Sequence, residues 1–522
     1  MPDQITSLIQ KRKRKSSSPL VRTRKWVQAA AMIVFGATLL WTRWGQLGPP
    51  ASNLAVRLSP FSMITSSISS RTLLLGSTVA LILLASSFVV GRAWCGWLCP
   101  LGTVLDLFPF SKLSKKTLRI PERMRSIKYG ILLTAILAAI FSNLTLLFLD
   151  PLTILTRTFS VVLFPGLDRF VFWLERLLVN VPALSNGVYA FDQVLRPAVF
   201  PSTPPVFLYT SLVLGFFALL LALNVLAERF WCRYLCPLGA ILGLGSKFSL
   251  IKRKVKESCT SCGVCESKCP TGTIDPNQGY RSDPAECTLC FNCLGTCKNS
   301  QFEFAFPSSS EKRHEYDPAR RTFLASLGTV ALGAALLKTK WLNLVNTHFS
   351  LRPPGAESDF LLAKCVRCGL CVKVCPTQAL QFDPQNGGLE GFMTPVFVPR
   401  NGYCDYSCNS CGQICPVQAI PPIPLDEKRK TVIGKAVIDK EICLAWGEHT
   451  PCIVCEEMCP LPQKAITLDT QPFMDEHGKP FELQLPVVNL EICIGCGICE
   501  FKCPLPAEAA IRVHSQEFVR DS

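Results

Sequence analysis

Four apolar stretches interrupt the polar chain in its N-terminal half, near Trp26–Leu47, Thr72–Val90, Ile127–Leu149 and Val206–Ala227. Each approaches or exceeds the roughly 20 residues with which a helix crosses a hydrocarbon layer. Lys and Arg sort the segments between them. The N-terminal tail, with its KRKRK run at Lys11–Lys15, and the segments Arg92–Lys128 and Arg229–Lys256 are dense in positive charge, whereas Gly48–Ser70 and Asp150–Pro205 are nearly balanced. That asymmetry assigns the basic segments to the cytoplasmic side of a bilayer. The pattern therefore predicts an α-helical membrane bundle of four helices. In the outer loop, Asp168–Val181 sets Arg169, Glu175 and Arg176 among bulky apolar residues, as in an interfacial helix able to roof a quinone pocket. A plain packing helix or a short re-entrant span fits the same residues.

A fifth apolar run begins after a polar linker, Pro307–Pro318, and reads ARRTFLASLGTVALGAALL from Ala319. As a helix Thr322–Leu337 spans about 24 Å, a little short of the roughly 30 Å hydrocarbon layer, so Lys338 and Lys340 would snorkel or mark its edge. The paired arginines give it the look of a twin-arginine export signal, although Ala319 and Ala325 stand where other residues are usual. An ordinary anchor helix gives the same topology. From Phe360 onward the chain is rich in proline and turns and soluble in character.

The length of 522 residues exceeds one ordinary core, and 49% apolar residues agree with the membrane portion. A net charge of +16 sits mostly beside the apolar stretches, so topology accounts for it better than nucleic-acid binding does. The 28 cysteines change the picture most. Cys259–Cys297 reads CTSCGVCESKCP, a turn-rich bridge, then CTLCFNCLGTC. In the spacing C-x2-C-x2-C-x3-C-P three thiolates grip one iron–sulfur cube and the fourth reaches a second. Cys259, Cys262, Cys265 and Cys297 are thus expected to hold one 4Fe-4S cluster, and Cys287, Cys290, Cys293 and Cys269 its partner. Structural zinc favours two well-separated C-x2-C pairs, and disulfides would crowd the triplets.

Four more runs follow. Cys365, Cys368, Cys371 and Cys375, and Cys493, Cys496, Cys499 and Cys503, keep the spacing and its proline. Cys404, Cys408, Cys411 and Cys415 open with a three-residue gap. Cys443, Cys452, Cys455 and Cys459 open with an eight-residue gap containing His449, which reads as a loop residue because the cysteines already come in fours. After the prolines, Ala379-Leu380, Ala419-Ile420, Ala465-Ile466 and Ala510-Ile511 supply an apolar step to pack against a cluster. Six clusters are expected in all. Crossover between outer and inner runs would let Cys503 complete the Cys365 cluster and Cys375 the Cys493 cluster; pairing of sequential runs is equally open.

The last four cysteines form an internal repeat, WCGWLCPLG at Trp94–Gly102 and WCRYLCPLG at Trp231–Gly239. Thiols at i and i+4 share a helix face, so Cys95, Cys99, Cys232 and Cys236 could converge on a pseudo-twofold axis to bind a metal or cluster, or act as dithiol pairs, or stay structural and separate. The five histidines, His314, His348, His449, His477 and His514, all lie outside the first four stretches, which excludes bis-histidine haem there. No C-x-x-C-H run, dinucleotide fingerprint or P-loop is present. Electron transfer through sulfur-ligated iron remains.

Residues 1 to about 300, with the C-x3-C-P motifs and two ferredoxin runs, resemble the NapH family. Those from about 319, with the twin-arginine segment and four further runs, resemble NapG and its relative MauM. NosR and CcoG proteins share the first set of elements. The reading along the chain leads to an expected division into a basic tail (1–25), a membrane domain (26–250), a cytoplasmic two-cluster ferredoxin domain (251–306), a linker with a signal-like segment (307–345) and a four-cluster domain (346–522) expected on the periplasmic side. The expected fold is thus a helical membrane bundle with α+β ferredoxin-like 4Fe-4S domains on both sides, multi-pass in the bacterial inner membrane. The expected function is a quinol dehydrogenase component that passes electrons from the quinol pool to a periplasmic reductase or cytochrome. Maturation, copper reduction or redox sensing in support of metalloenzyme assembly is the alternative.

Overall fold

The computed structural model describes residues 19–41, 53–74, 76–109, 122–182, 184–200, 204–294, 302–305, 350–383, 388–474 and 480–521. The basic run Lys11–Lys15, Cys297 and the signal-like segment after Ala319 lie outside the described residues.

The apolar stretches do form helices, but short ones. Thr72–Val90 yields α3, Ser77–Val90, of 14 residues, which follows α1, Pro19–Leu40, and α2, Pro60–Ser70. Ile127–Leu149 yields α5, Ile127–Ile140, also of 14, after α4, Pro100–Leu107. Val206–Ala227 yields α8, Thr210–Ala222, of 13, after α6, Pro151–Thr158, and α7, Phe164–Val179. At about 1.5 Å per residue, helices of this length reach roughly 20 Å, well under the roughly 30 Å of a hydrocarbon layer.

Local breaks cut them short. Gly91 at φ 60° follows α3, and Ser142 at φ 62° lies just beyond α5, where a 3-10 turn, Thr145–Leu149, takes over. Helix α1 has 22 residues, but its first turns hold Arg22, Arg24, Lys25 and Gln28. Among the described residues no helix is long and apolar enough to cross a membrane. This corrects the four-span membrane bundle and, with it, the multi-pass inner-membrane location: hydropathy summed over a stretch counted residues that the backbone divides between separate elements. Most of Asp168–Val181 lies in a helix, α7. Phe170, Trp173 and Leu177 are exposed on it, while Asp168 is buried.

The helices surround one core that includes Leu39, Phe61, Met63, Leu101, Leu105, Ala135, Ala139 and Ile154. Both cysteine-rich parts pack directly on this bundle, at opposite ends of α5. Lys128, in its first turn, pairs with Glu286 of the first ferredoxin module. Beyond its far end, Arg367 of the C-terminal module donates to the carbonyl of Leu144, and Phe148 meets Phe392 edge-on with centroids 5.5 Å apart. Ser66 Oγ donates to Lys364 O at 2.9 Å and Asn53 Nδ2 to Ile414 O at 3.1 Å.

Among the described residues every sheet is a two-stranded antiparallel pair. Lys252–Val255 pairs with Phe302–Ala305 and Ile274–Asp275 with Arg281–Ser282, framing the first module. Leu380–Asp383 pairs with Thr394–Phe397, Ile466–Met474 with Pro480–Val488, and Lys435–Ile438 with Ile511–His514. The last of these ties together the segments that carry the final two cysteine runs.

Candidate iron–sulfur sites

In the Cys365 run a local turn places the thiols. Gly369, immediately after Cys368, sits at φ +78°, and an added Cβ would meet the Phe382 ring at 2.6 Å. Both the left-handed backbone and the close approach therefore call for glycine. A one-turn helix, Leu370–Val374, then carries Cys371, and the proline after Cys375 forces that cysteine into an extended conformation. Its thiol is thereby sent to a neighbouring site.

Thiols of sequential runs come together. Cys365, Cys368 and Cys371 line one cavity together with Cys415, and Ala419 and Ile420 close it. Cys375 joins the charge environment of Cys404, Cys408 and Cys411. Cys443, Cys452 and Cys455 share a second cavity with Cys503, walled by Ala510 and Ile511. Cys493, Cys496 and Cys499 interact among themselves and with Cys459 or Cys455. Cys503 thus lies with the Cys443 set and Cys415 with the Cys365 set. In the first module Cys269 stands with Cys287, Cys290 and Cys293, and Cys265 with Cys259, beside the exposed Cys262.

These pockets suit iron–sulfur clusters. Among the described residues the thiols are free of disulfides. The linings are apolar, and backbone N–H groups are aimed at sulfur: Arg367 N to Cys365 Sγ at 3.4 Å, Ala419 N to Cys415 Sγ at 3.2 Å and Ala436 N to Cys493 Sγ at 3.4 Å. Such bonds tune cluster potentials. Burial pushes the thiols up, Cys293, Cys404 and Cys455 to about 12, so iron must displace protons as it binds. His449 packs at a tilt against Phe473, ring centroids 4.5 Å apart.

The C-x3-C-P thiols do not lie along one continuous helix. Cys95 is in a short helix, Ala93–Trp97, and Cys232 in a π turn, Trp231–Leu235. Cys99 and Cys236 are extended N-cap residues of α4 and of α9, Pro237–Ser246, because the following proline excludes the helical region for the residue before it. All four are buried, and Cys236 feels Cys232, Cys95 and Cys99.

Two arginines that motif reading missed frame them. Arg92 donates to Cys232 O at 3.4 Å and Arg229 to Cys95 O at 3.2 Å, each reaching across to the other repeat. The signal was present, since an arginine stands three residues before the first cysteine in both copies.

The fold of the cysteine-rich modules and their thiol-lined pockets define an iron–sulfur electron-transfer protein of the ferredoxin type. Comparison with known proteins narrows the class. A 4Fe-4S binding domain matches residues 72–121 and 210–256, another 253–275, and a 4Fe-4S dicluster domain 364–419. The methylamine utilization ferredoxin-type protein MauM of Methylobacillus flagellatus is 40% identical over 207 residues, which is 38% of this chain and 80% of that protein. The ferredoxin-type protein NapG of Haemophilus influenzae is 34% identical over 196 residues, 36% of this chain and 68% of that protein. NapG of Escherichia coli is 35% identical over 190 residues, 34% of this chain and 78% of that protein. The chain belongs to the MauM and NapG family of ferredoxin-type proteins. No solved structure matches it.

Proposed function

We propose that the chain is a multi-cluster electron conduit in which a NapH-like part, residues 1 to about 300, is joined to the MauM- and NapG-like part. Six 4Fe-4S clusters carry electrons from a quinol to a redox partner such as a reductase or cytochrome. The observation that supports this reading is that sequential runs share thiol-lined cavities, Cys415 lining that of Cys365, Cys368 and Cys371 and Cys503 that of Cys443, Cys452 and Cys455, as expected if they exchange fourth ligands. Exchange of this kind couples the centres in pairs through a few residues of backbone. A quinol gives up two electrons and each cluster accepts one, so a coupled pair empties one quinol in two single steps.

The 4Fe-4S domain match to both repeats supports the NapH-like assignment. The test is anaerobic mixing of the purified, cluster-loaded chain with a reduced quinol analogue while the visible absorption of the clusters is followed. Bleaching on the millisecond-to-second scale is expected. Clusters that stay oxidised with quinol yet accept electrons from dithionite would remove quinol as the donor.

A further inference from the structure

The four C-x3-C-P thiols have no part in the six-cluster arrangement, yet all four are gathered in the buried core. Cys95, Cys99, Cys232 and Cys236 are buried and not joined as disulfides. They are also the only cysteines in the two segments that match the 4Fe-4S binding domain at residues 72–121 and 210–256. We infer that Cys95, Cys99, Cys232 and Cys236 together hold a seventh 4Fe-4S cluster, on the pseudo-twofold axis of the two repeats. This rests on the electron-conduit reading and extends it.

The surroundings fit the charge of such a centre. Four thiolates around a doubly positive iron–sulfide core make a dianion. On one side Arg92 and Lys128 share the single carboxylate of Glu286; on the other Arg229 and Arg24 share that of Asp106. Each side keeps one positive charge in excess, and the sum offsets a dianion. Repeat-related donors are also in waiting. The indole N–H of Trp94 and of Trp231, each one residue before the first cysteine of its repeat, is buried without an acceptor among the described residues. Gly239 N donates to Cys236 Sγ at 3.2 Å. Sulfur of a cluster accepts such bonds, which apolar surroundings otherwise leave unmade at a cost.

The position gives the centre a purpose. The Cys287 set packs directly on it: Trp97 Nε1 donates to Leu289 O at 2.9 Å, and a Cβ on Gly96 would meet Thr288 O at 2.3 Å. On its other side lies the helical core that also receives Cys365, Cys368 and Cys415. The seventh cluster is thus the inner relay between the two modules, taking one electron and passing one on with no bond made or broken.

Iron and acid-labile sulfide counted on the full chain, purified and reconstituted anaerobically, test this. About 28 irons per chain are expected, four for each of seven clusters. The double variant Cys95→Ala/Cys232→Ala is expected to lose about four and to keep the rest. If the variant does not fold, the unaltered chain decides. A saturated count of about 24 irons, with these four thiols open to alkylation or joined as disulfides by diamide, overturns the seventh cluster. Loss of iron in Cys365→Ala and Cys443→Ala but none in the double variant overturns it too and leaves the conduit reading standing. A chain that takes up no iron at all overturns both.

Discussion

At the residue scale, Asp150 shows how burial sets a side chain's chemistry. It caps α6, accepting from Thr153 N at 3.1 Å and from the Ser59 hydroxyl at 2.7 Å. Burial nevertheless raises its pKa from 3.8 to about 6, outweighing those hydrogen bonds. The folded state therefore holds the proton more tightly than the unfolded chain does. The stability this confers is complete below about pH 4 and is lost as pH rises through 6. Over two pH units that amounts to about 3 kcal/mol. Thermal unfolding under anaerobic conditions between pH 4.5 and 7.5 is expected to show this fall, and Asp150→Asn to flatten it; an unchanged slope in the variant refutes the assignment. Gly369 makes a second prediction at this scale. Gly369→Ala places a Cβ in left-handed backbone against Phe382 and is expected to cost about 2–3 kcal/mol. Loss of the Cys365 cluster from the visible spectrum should accompany it.

At the element scale, the joint between α5 and the first ferredoxin module rests on one buried carboxylate. Glu286 meets Arg92 at 2.8 Å and also pairs with Lys128. Both cations hold its pKa below the usual carboxylate range despite burial, and loss of the shared partner leaves two buried charges uncompensated. Glu286→Gln is expected to destabilise the joint by about 3–5 kcal/mol. Limited proteolysis that detaches the segment after residue 250 at lower protease than in the parent checks this; equal resistance would mean that apolar packing alone holds the joint. The cysteine turns teach a related lesson about elements. C-x3-C-P suggested one helix face, but proline after the second cysteine splits the motif into the end of one helix and the cap of the next. The extended backbone at Cys99 and Cys236 turns their thiols inward. The rule for residues before proline was visible in the letters; where the two split motifs would meet was not.

At the scale of the whole molecule, ligand pairing is testable by iron counts because shared and separate clusters combine differently. Cys365→Ala/Cys415→Ala removes two ligands of one cluster and is expected to lose about four irons. Cys365→Ala/Cys503→Ala strikes two clusters and is expected to lose about eight. The reverse order of losses would restore the crossover between outer and inner runs. The spacing of thiols, their grouping in fours, the glycine after Cys368 and the apolar steps such as Ala419-Ile420 were all readable in the chain, because cluster loops are local and their chemistry is carried by neighbours in sequence. The length of the helices was not. Apolar stretches such as Thr72–Val90 and Ile127–Leu149 announce burial, but backbone breaks at Gly91 and near Ser142 decide where each helix stops. Nor did the letters show that Arg92 and Arg229 reach across to the opposite repeat, or that Cys415 and Cys503 line their neighbours' cavities. Those contacts join residues far apart in the chain, and only tertiary packing within the helical core and within the C-terminal module brings them together.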